Sequence, residues 1–169
     1  MIIVVMGVSG CGKTTVGQRL ADRLGWPFFD GDAFHPPANI DKMSRGIPLT
    51  DEDRWGWLAA IADRMRELIA VNQSGVFACS ALKQKYRDQL QVSDQVKFVY
   101  LRGSYDLIWS RMQQRAGHYM KPNMLASQFE ALEEPRDALT LDIDQPPAAL
   151  VDQIERAVIK SSATEPPPI

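Results

Sequence analysis

The segment that most narrows what this chain can fold into is Gly7-Val8-Ser9-Gly10-Cys11-Gly12-Lys13-Thr14, which follows the apolar run Ile2-Ile3-Val4-Val5-Met6. Glycines at this spacing let the backbone wrap an anion with no Cβ in the way, while successive N–H groups at the start of the next helix point at it. Lys13 brings a charge to the β- and γ-phosphates of a nucleotide, and the Thr14 hydroxyl is placed to bind Mg²⁺, with Thr15 following into the helix. A plain tight turn between strand and helix needs no Lys-Thr at that point, so the segment reads as a phosphate-binding P-loop. It specifies the phosphate donor and is silent about the acceptor.

At 169 residues the chain can bury one substantial core and is too short for two ordinary domains. Its net charge of −2 excludes a general nucleic-acid binder, which needs a clear basic excess for its phosphate contacts. Any anion site must therefore be local. No apolar run reaches membrane-spanning length and no secretion signal precedes the first strand, so a cytoplasmic protein with no membrane partner is expected. Cys11 and Cys79 sit in no metal-ligand spacing.

Apolar patterning predicts strands over 2–6, 26–30, 75–80, 96–101 and 138–143, alternating with helices. The first helix runs from Thr14, with Val16, Leu20 and Leu24 inward and Gly25 as its stop. Thr50 and Asp53 stand at capping-box spacing before a long helix with Trp57, Leu58, Ile61, Ala62, Met65, Leu68 and Ile69 on its apolar stripe. Helices are also expected over 104–115, around Leu125, Phe129 and Leu132, and over 147–160. Such alternation predicts an α/β protein, three layers deep, around a five-stranded parallel sheet. The core is assigned to 1–32, 74–112 and 135–160, interrupted by insertions at 33–73 and 113–134, with 161–169 as a flexible tail.

Asp30-Gly31-Asp32 falls at the carboxyl end of the second strand, on the rim where ligands bind in open α/β sheets and where the P-loop lies. An ordinary Asp-Gly turn is the competing reading. Asp32 can take a proton from an acceptor hydroxyl. The 102–121 region carries Arg102, Arg111, Arg115 and Lys121 against Asp106 alone, and Gly117 and Pro122 break its helix. That pattern suits a lid whose Arg115 or Arg111 meets the transferred phosphoryl, although a solvated basic face would look similar. A helix beginning near Ala81 would put Lys83 and Arg87 on one face. Together with His35 and Arg54 they offer more cation than ATP needs, which points to an anionic acceptor. The strand ending at Ser80 lacks the acidic residue that usually helps hold Mg²⁺, leaving Thr14, waters, and Asp30 or Asp32 as candidates.

With these residues in place the sequence resembles the gluconate kinases (gluconokinases), small P-loop kinases related to the nucleoside monophosphate and shikimate kinases. The resemblance spans 4–147 and rests on the P-loop, Asp30-Gly31-Asp32, His35-Pro36, Asn39, Lys42-Met43, Gly46, Pro48-Leu49, Asp51 to Arg54, Trp57-Leu58, Cys79-Ser80-Ala81-Leu82-Lys83 and Tyr86-Arg87-Asp88. It continues through Gly117-His118, Gln128-Phe129-Glu130, Leu132-Glu133 and Asp142-Ile143-Asp144. It implies a P-loop kinase fold with a helical substrate-binding insertion and a lid, a homodimer, and ATP- and Mg²⁺-dependent phosphorylation of the terminal hydroxyl of D-gluconate to 6-phospho-D-gluconate. Lys13, Asp32 and Arg115 would act in catalysis, and Gly7 through Thr15 with Arg111 would hold the nucleotide. Asp32, His35, Arg54, Lys83 and Arg87 would hold the sugar acid. Cys11 departs from the Ser or other small residue common at its position, a change of little weight where the backbone does the binding. The alternatives are a kinase for another small acid or a nucleotide, or a non-catalytic nucleotide-binding module, which would leave the cation surplus unexplained.

Overall fold

The protein is described by a computed structural model over residues 1–115 and 122–161. Gly117, His118, Lys121 and nearly all of the expected tail lie outside the described residues. Strand β1 (Ile2–Met6) passes through the P-loop into helix α1 (Lys13–Leu24), and β2 (Phe28–Asp30) passes through one tight helical turn, Gly31–Phe34, into α2 (Pro37–Ser44) and α3 (Asp51–Ala70). Then come β3 (Gly75–Ala78), α4 (Gln84–Leu90), β4 (Val96–Arg102), α5 (Tyr105–Gln114), α6 (Pro122–Ala131), β5 (Leu139–Asp142) and α7 (Pro147–Ile154). The last continues in wider π-type turns over Glu155–Lys160.

The five strands are all parallel, in the order β2-β3-β1-β4-β5. β1 lies at the centre with every residue buried, which explains why its sequence is continuously apolar rather than alternating. Its side chains still divide by face. Ile3 and Val5 pack with Val16 and Leu20 of α1, Ile108 of α5 and Leu150 of α7, while Ile2, Val4 and Met6 pack with Leu58, Ile61 and Met65 of α3 and Leu90 of α4. The sheet is thus covered on both sides, as the predicted three layers require.

Local chemistry explains the ends of the main helices. Gly25 adopts a left-handed conformation (φ 67°) and its N–H closes back on the Ala21 and Asp22 carbonyls, which ends α1. The Asp53 N–H donates to Thr50 Oγ1 at 3.2 Å and the Thr50 N–H to Asp53 Oδ2 at 2.9 Å, so aspartate completes the capping box in place of the usual glutamate.

Two expectations shift. The second strand starts at Phe28 rather than Trp26, because the Trp26 N–H turns back to the Ala21 carbonyl and Pro27 has no N–H to give. The helix after β3 starts at Gln84, with Ala81 at φ 44° and Lys83 extended (φ −99°, ψ 151°). Lys83 and Arg87 therefore do not share a helix face, since the four-residue spacing applies only when both residues are helical.

Candidate active site

The P-loop and the ends of β2 and β3 open onto one cleft of about 560 Å³. Ser9, Gly10 and Gly12 to Thr15 line it together with Asp30, Asp32, His35, Arg54 and Trp57. A second cavity of about 450 Å³ lies beyond the loop, lined by Arg111 and by Ile143 to Pro147. Gly10, Gly12, Thr15 and Arg115 line both, so the P-loop is the partition between them.

The loop is built to take phosphate. Gly10 has φ 79°, and a Cβ there would fall 2.7 Å from Met112 Cγ. No side chain caps the N-terminus of α1, which leaves its first N–H groups for an anion. Lys13 Nζ donates to the Val8 carbonyl at 2.9 Å, folding the ammonium over the loop it serves. For Mg²⁺, no cluster of three or more His, Cys, Asp or Glu exists among the described residues. A hydroxyl and two carboxylates, from Thr14, Asp30 and Asp32, line the cleft beside the loop. This oxygen set fits an ion that keeps several waters and takes its other ligands from phosphate.

The Asp-Gly-Asp segment is both a turn and a presentation device. Asp30 Oδ1 accepts the Asp32 N–H at 3.0 Å, and Trp57 Nε1 donates to the Gly31 carbonyl at 2.7 Å. A Cβ on Gly31 would lie 2.5 Å from the Ala78 carbonyl oxygen, so only glycine lets the turn sit this close to β3. Asp32 is thereby fixed on the cleft wall. His35 stacks on Trp57 with ring centroids 4.2 Å apart and 15° between planes. Burial pushes the His35 pKa down, Asp32 opposing and Arg54 reinforcing that shift.

Arg54 reaches the cleft from α3, where its Nη1 donates to the Leu49 carbonyl at 2.6 Å and to Tyr86 Oη at 3.2 Å. The Tyr86 hydroxyl in turn donates to Asp51. Lys85, foremost, and Tyr86 hold the Asp51 carboxyl far below the usual carboxylate range. Burial, then Asp51, pushes Tyr86 up to about 12.

Two of the expected substrate cations are committed elsewhere. Lys83 Nζ lies 3.1 Å from Asp51 and does not line the cleft. Arg87, 3% exposed, donates to the carbonyls of Ala81, Leu82 and Glu133 and to Gln84 Oε1. Glu133 adds two links, its N–H to the Leu82 carbonyl at 2.9 Å and its Oε2 from the Gln84 N–H at 2.9 Å. Arg87 thus fastens the chain after α6 to the β3–α4 connection. Arg87→Ala would strand buried carbonyls and is expected to lower stability by roughly 3 kcal/mol in urea unfolding. Unchanged stability would mean that water replaces the guanidinium at no cost.

The two candidate lid arginines also separate. Arg111 donates from Nη2 to the Ile143 carbonyl at 2.8 Å and faces only the second cavity, whereas Arg115 borders both. Gln128 had no role assigned from sequence, yet its Oε1 accepts the Ser9 N–H at 2.7 Å and its Nε2 donates to Ser9 Oγ at 3.0 Å. The available signal was a polar residue on the apolar stripe of Leu125 and Leu132. Trp57 read as core, which is true of its ring and incomplete for its N–H. Burial pushes the Cys79 thiol up to about 12, which removes it as a nucleophile.

The family model described as shikimate kinase matches residues 9–162. Thermosensitive gluconokinase of Escherichia coli is 47% identical over 161 residues, covering 92% of this chain and 86% of that protein. Gluconokinase of Gluconobacter oxydans is 52% identical over 136 residues, covering 80% and 76%. The crystal structure of a gluconokinase from Sinorhizobium meliloti superposes with a TM-score of 0.84 at 45% identity, covering 96% of this chain and 97% of that one.

Proposed function

The chain belongs to the gluconokinases, within the shikimate kinase family, and on that premise we propose that it transfers the γ-phosphoryl of ATP to the terminal hydroxyl of D-gluconate. The products are 6-phospho-D-gluconate and ADP. The observation that carries the reading is a single cleft lined by a phosphate loop together with a carboxylate, a guanidinium and an imidazole.

In this assignment the P-loop N–H groups and Lys13 hold the β- and γ-phosphates, and Arg111 lies on the nucleotide side of the partition. Thr14, with water and Asp30 or Asp32, would hold Mg²⁺, which when bound would supply positive charge against the phosphates. Asp32 accepts the proton of the terminal hydroxyl as its oxygen bonds to the γ-phosphorus, and the bond to the bridging oxygen of ADP breaks. Arg115, at the junction of the two cavities, meets the charge that spreads onto the transferred oxygens. Arg54 takes the sugar-acid carboxylate and His35 a further oxygen. Lys83 acts through Asp51, and Arg87 supports the cleft from behind.

The enzyme is expected to work as a cytoplasmic homodimer. No helix among the described residues is long and apolar enough to cross a membrane. Light scattering on purified protein tests the dimer. A coupled assay with ATP and a panel of gluconate, shikimate and nucleoside monophosphates tests the reaction. Gluconate-dependent ADP release is expected. Shikimate or AMP turnover well above gluconate turnover would overturn the acceptor assignment, and no turnover with any acceptor would favour a nucleotide-binding module.

A further inference from the structure

Asn39 on α2 is 3% exposed, and its side-chain nitrogen serves two acceptors, the Asp53 carbonyl at 2.8 Å and His35 Nδ1 at 3.2 Å. The first contact fixes the amide orientation, because an amide oxygen turned toward the Asp53 carbonyl would set two acceptors against each other. The second amide hydrogen then meets Nδ1, which must present a lone pair. In a neutral imidazole the one ring proton is left on Nε2.

The ring itself is held in place by stacking on Trp57, whose indole N–H is anchored on the Gly31 carbonyl. The His35 ring has no other hydrogen bond among the described residues, and none of their buried side-chain nitrogens lacks a partner. Since His35 lines the cleft and Nε2, which has no protein partner, is not buried, Nε2 opens into that space. We infer that Asn39 is a positioning residue that holds His35 as a neutral Nε2–H donor aimed at an oxygen of the sugar acid.

The nature of the ligand rests on the gluconate reading; the tautomer does not. The charged groups acting on the ring are Asp32, from the turn after β2, and Arg54, from α3. A neutral donor can bind a hydroxyl or carboxylate oxygen without adding a second positive charge beside Arg54.

The chain has only two histidines, so a His118→Gln variant assigns the imidazole nitrogen resonances of His35 without ambiguity. Long-range nitrogen–proton spectra of the unaltered protein near neutral pH are expected to show Nδ1 bare and Nε2 protonated, with Nε2 shifting when gluconate is added. Asn39→Asp, whose carboxylate accepts from an Nδ1–H, should move the proton of the neutral ring to Nδ1 and leave Nε2 a bare lone pair at alkaline pH. It should also raise KM for gluconate roughly tenfold while KM for ATP holds, the scale of one misplaced hydrogen bond. His35→Gln keeps a donor near Nε2 and should stay within about threefold in KM for gluconate, whereas His35→Phe, which keeps the stack and loses the donor, should rise about tenfold.

An Nδ1–H tautomer in the unaltered protein would overturn the inference, as would equal KM values for the Gln and Phe variants. Neither reading needs Asn39→Asp to fold. Failure of the gluconate assignment would look different, as absent gluconate turnover with the tautomer unchanged.

Discussion

Asp32→Asn is expected to bind ATP as the parent protein does and to turn over gluconate roughly two to four orders of magnitude more slowly, the range of a lost general base. The substitution keeps size and shape. It leaves the Asp32 N–H bond to Asp30 Oδ1 and the Trp57 bond to the Gly31 carbonyl in place, because neither uses the Asp32 carboxylate. What it removes is the proton acceptor, so the loss should fall on kcat rather than on KM for either substrate. Equilibrium ATP binding and steady-state rates on the same preparation check this. Near-normal kcat would reduce Asp32 to a member of the turn.

Arg115→Ala is expected to lower kcat by about three orders of magnitude, at the low end of the effects seen for arginines that meet a transferred phosphoryl group. The side chain is exposed and stands where both cavities meet, while Arg111 is engaged with the Ile143 carbonyl. Its attraction grows as charge moves onto the equatorial oxygens, so gluconate binding should change little by comparison. A variant that loses only affinity for gluconate would place Arg115 among the acid-binding groups. The Ser9–Gln128 pair holds α6 over the P-loop from a different element, so Gln128 offers no substitute for the missing charge.

Much of the fold was legible because its determinants are local. The apolar run of β1, the P-loop glycines, Gly25 and the Thr50–Asp53 box each act within a few residues of where they stand. The same holds for Asp32, whose place on the rim follows from strand polarity alone. The cations were harder to read, because a cation's role depends on the partner it meets. Lys83 finds Asp51 32 residues away, and Arg87 finds the Glu133 carbonyl 46 residues away. Nothing in the spacing of residues 83 to 87 carries that information. The start of α4 was misplaced for a related reason. Ala81 is buried at positive φ, a conformation alanine does not choose by itself and which the surrounding packing and the Arg87 bond to its carbonyl hold in place. Asn39 and Trp57 were visible as part of a motif, but the bonds that give them work to do exist only once α2 and α3 are side by side.

The partition that the P-loop makes between the two cavities has a stereochemical consequence. With the nucleoside in the second cavity and its phosphates over Lys13 and Thr14 in the first, donor and acceptor can be in residence together, the reacting phosphorus lying in the cleft they share, and Cys79 is too well protonated to act as a relay. The phosphoryl group then moves once, and a chiral γ-phosphorothioate should emerge with its configuration inverted. Double-reciprocal rate plots against the two substrates should intersect rather than run parallel, since no stripped or loaded form of the enzyme stands between them.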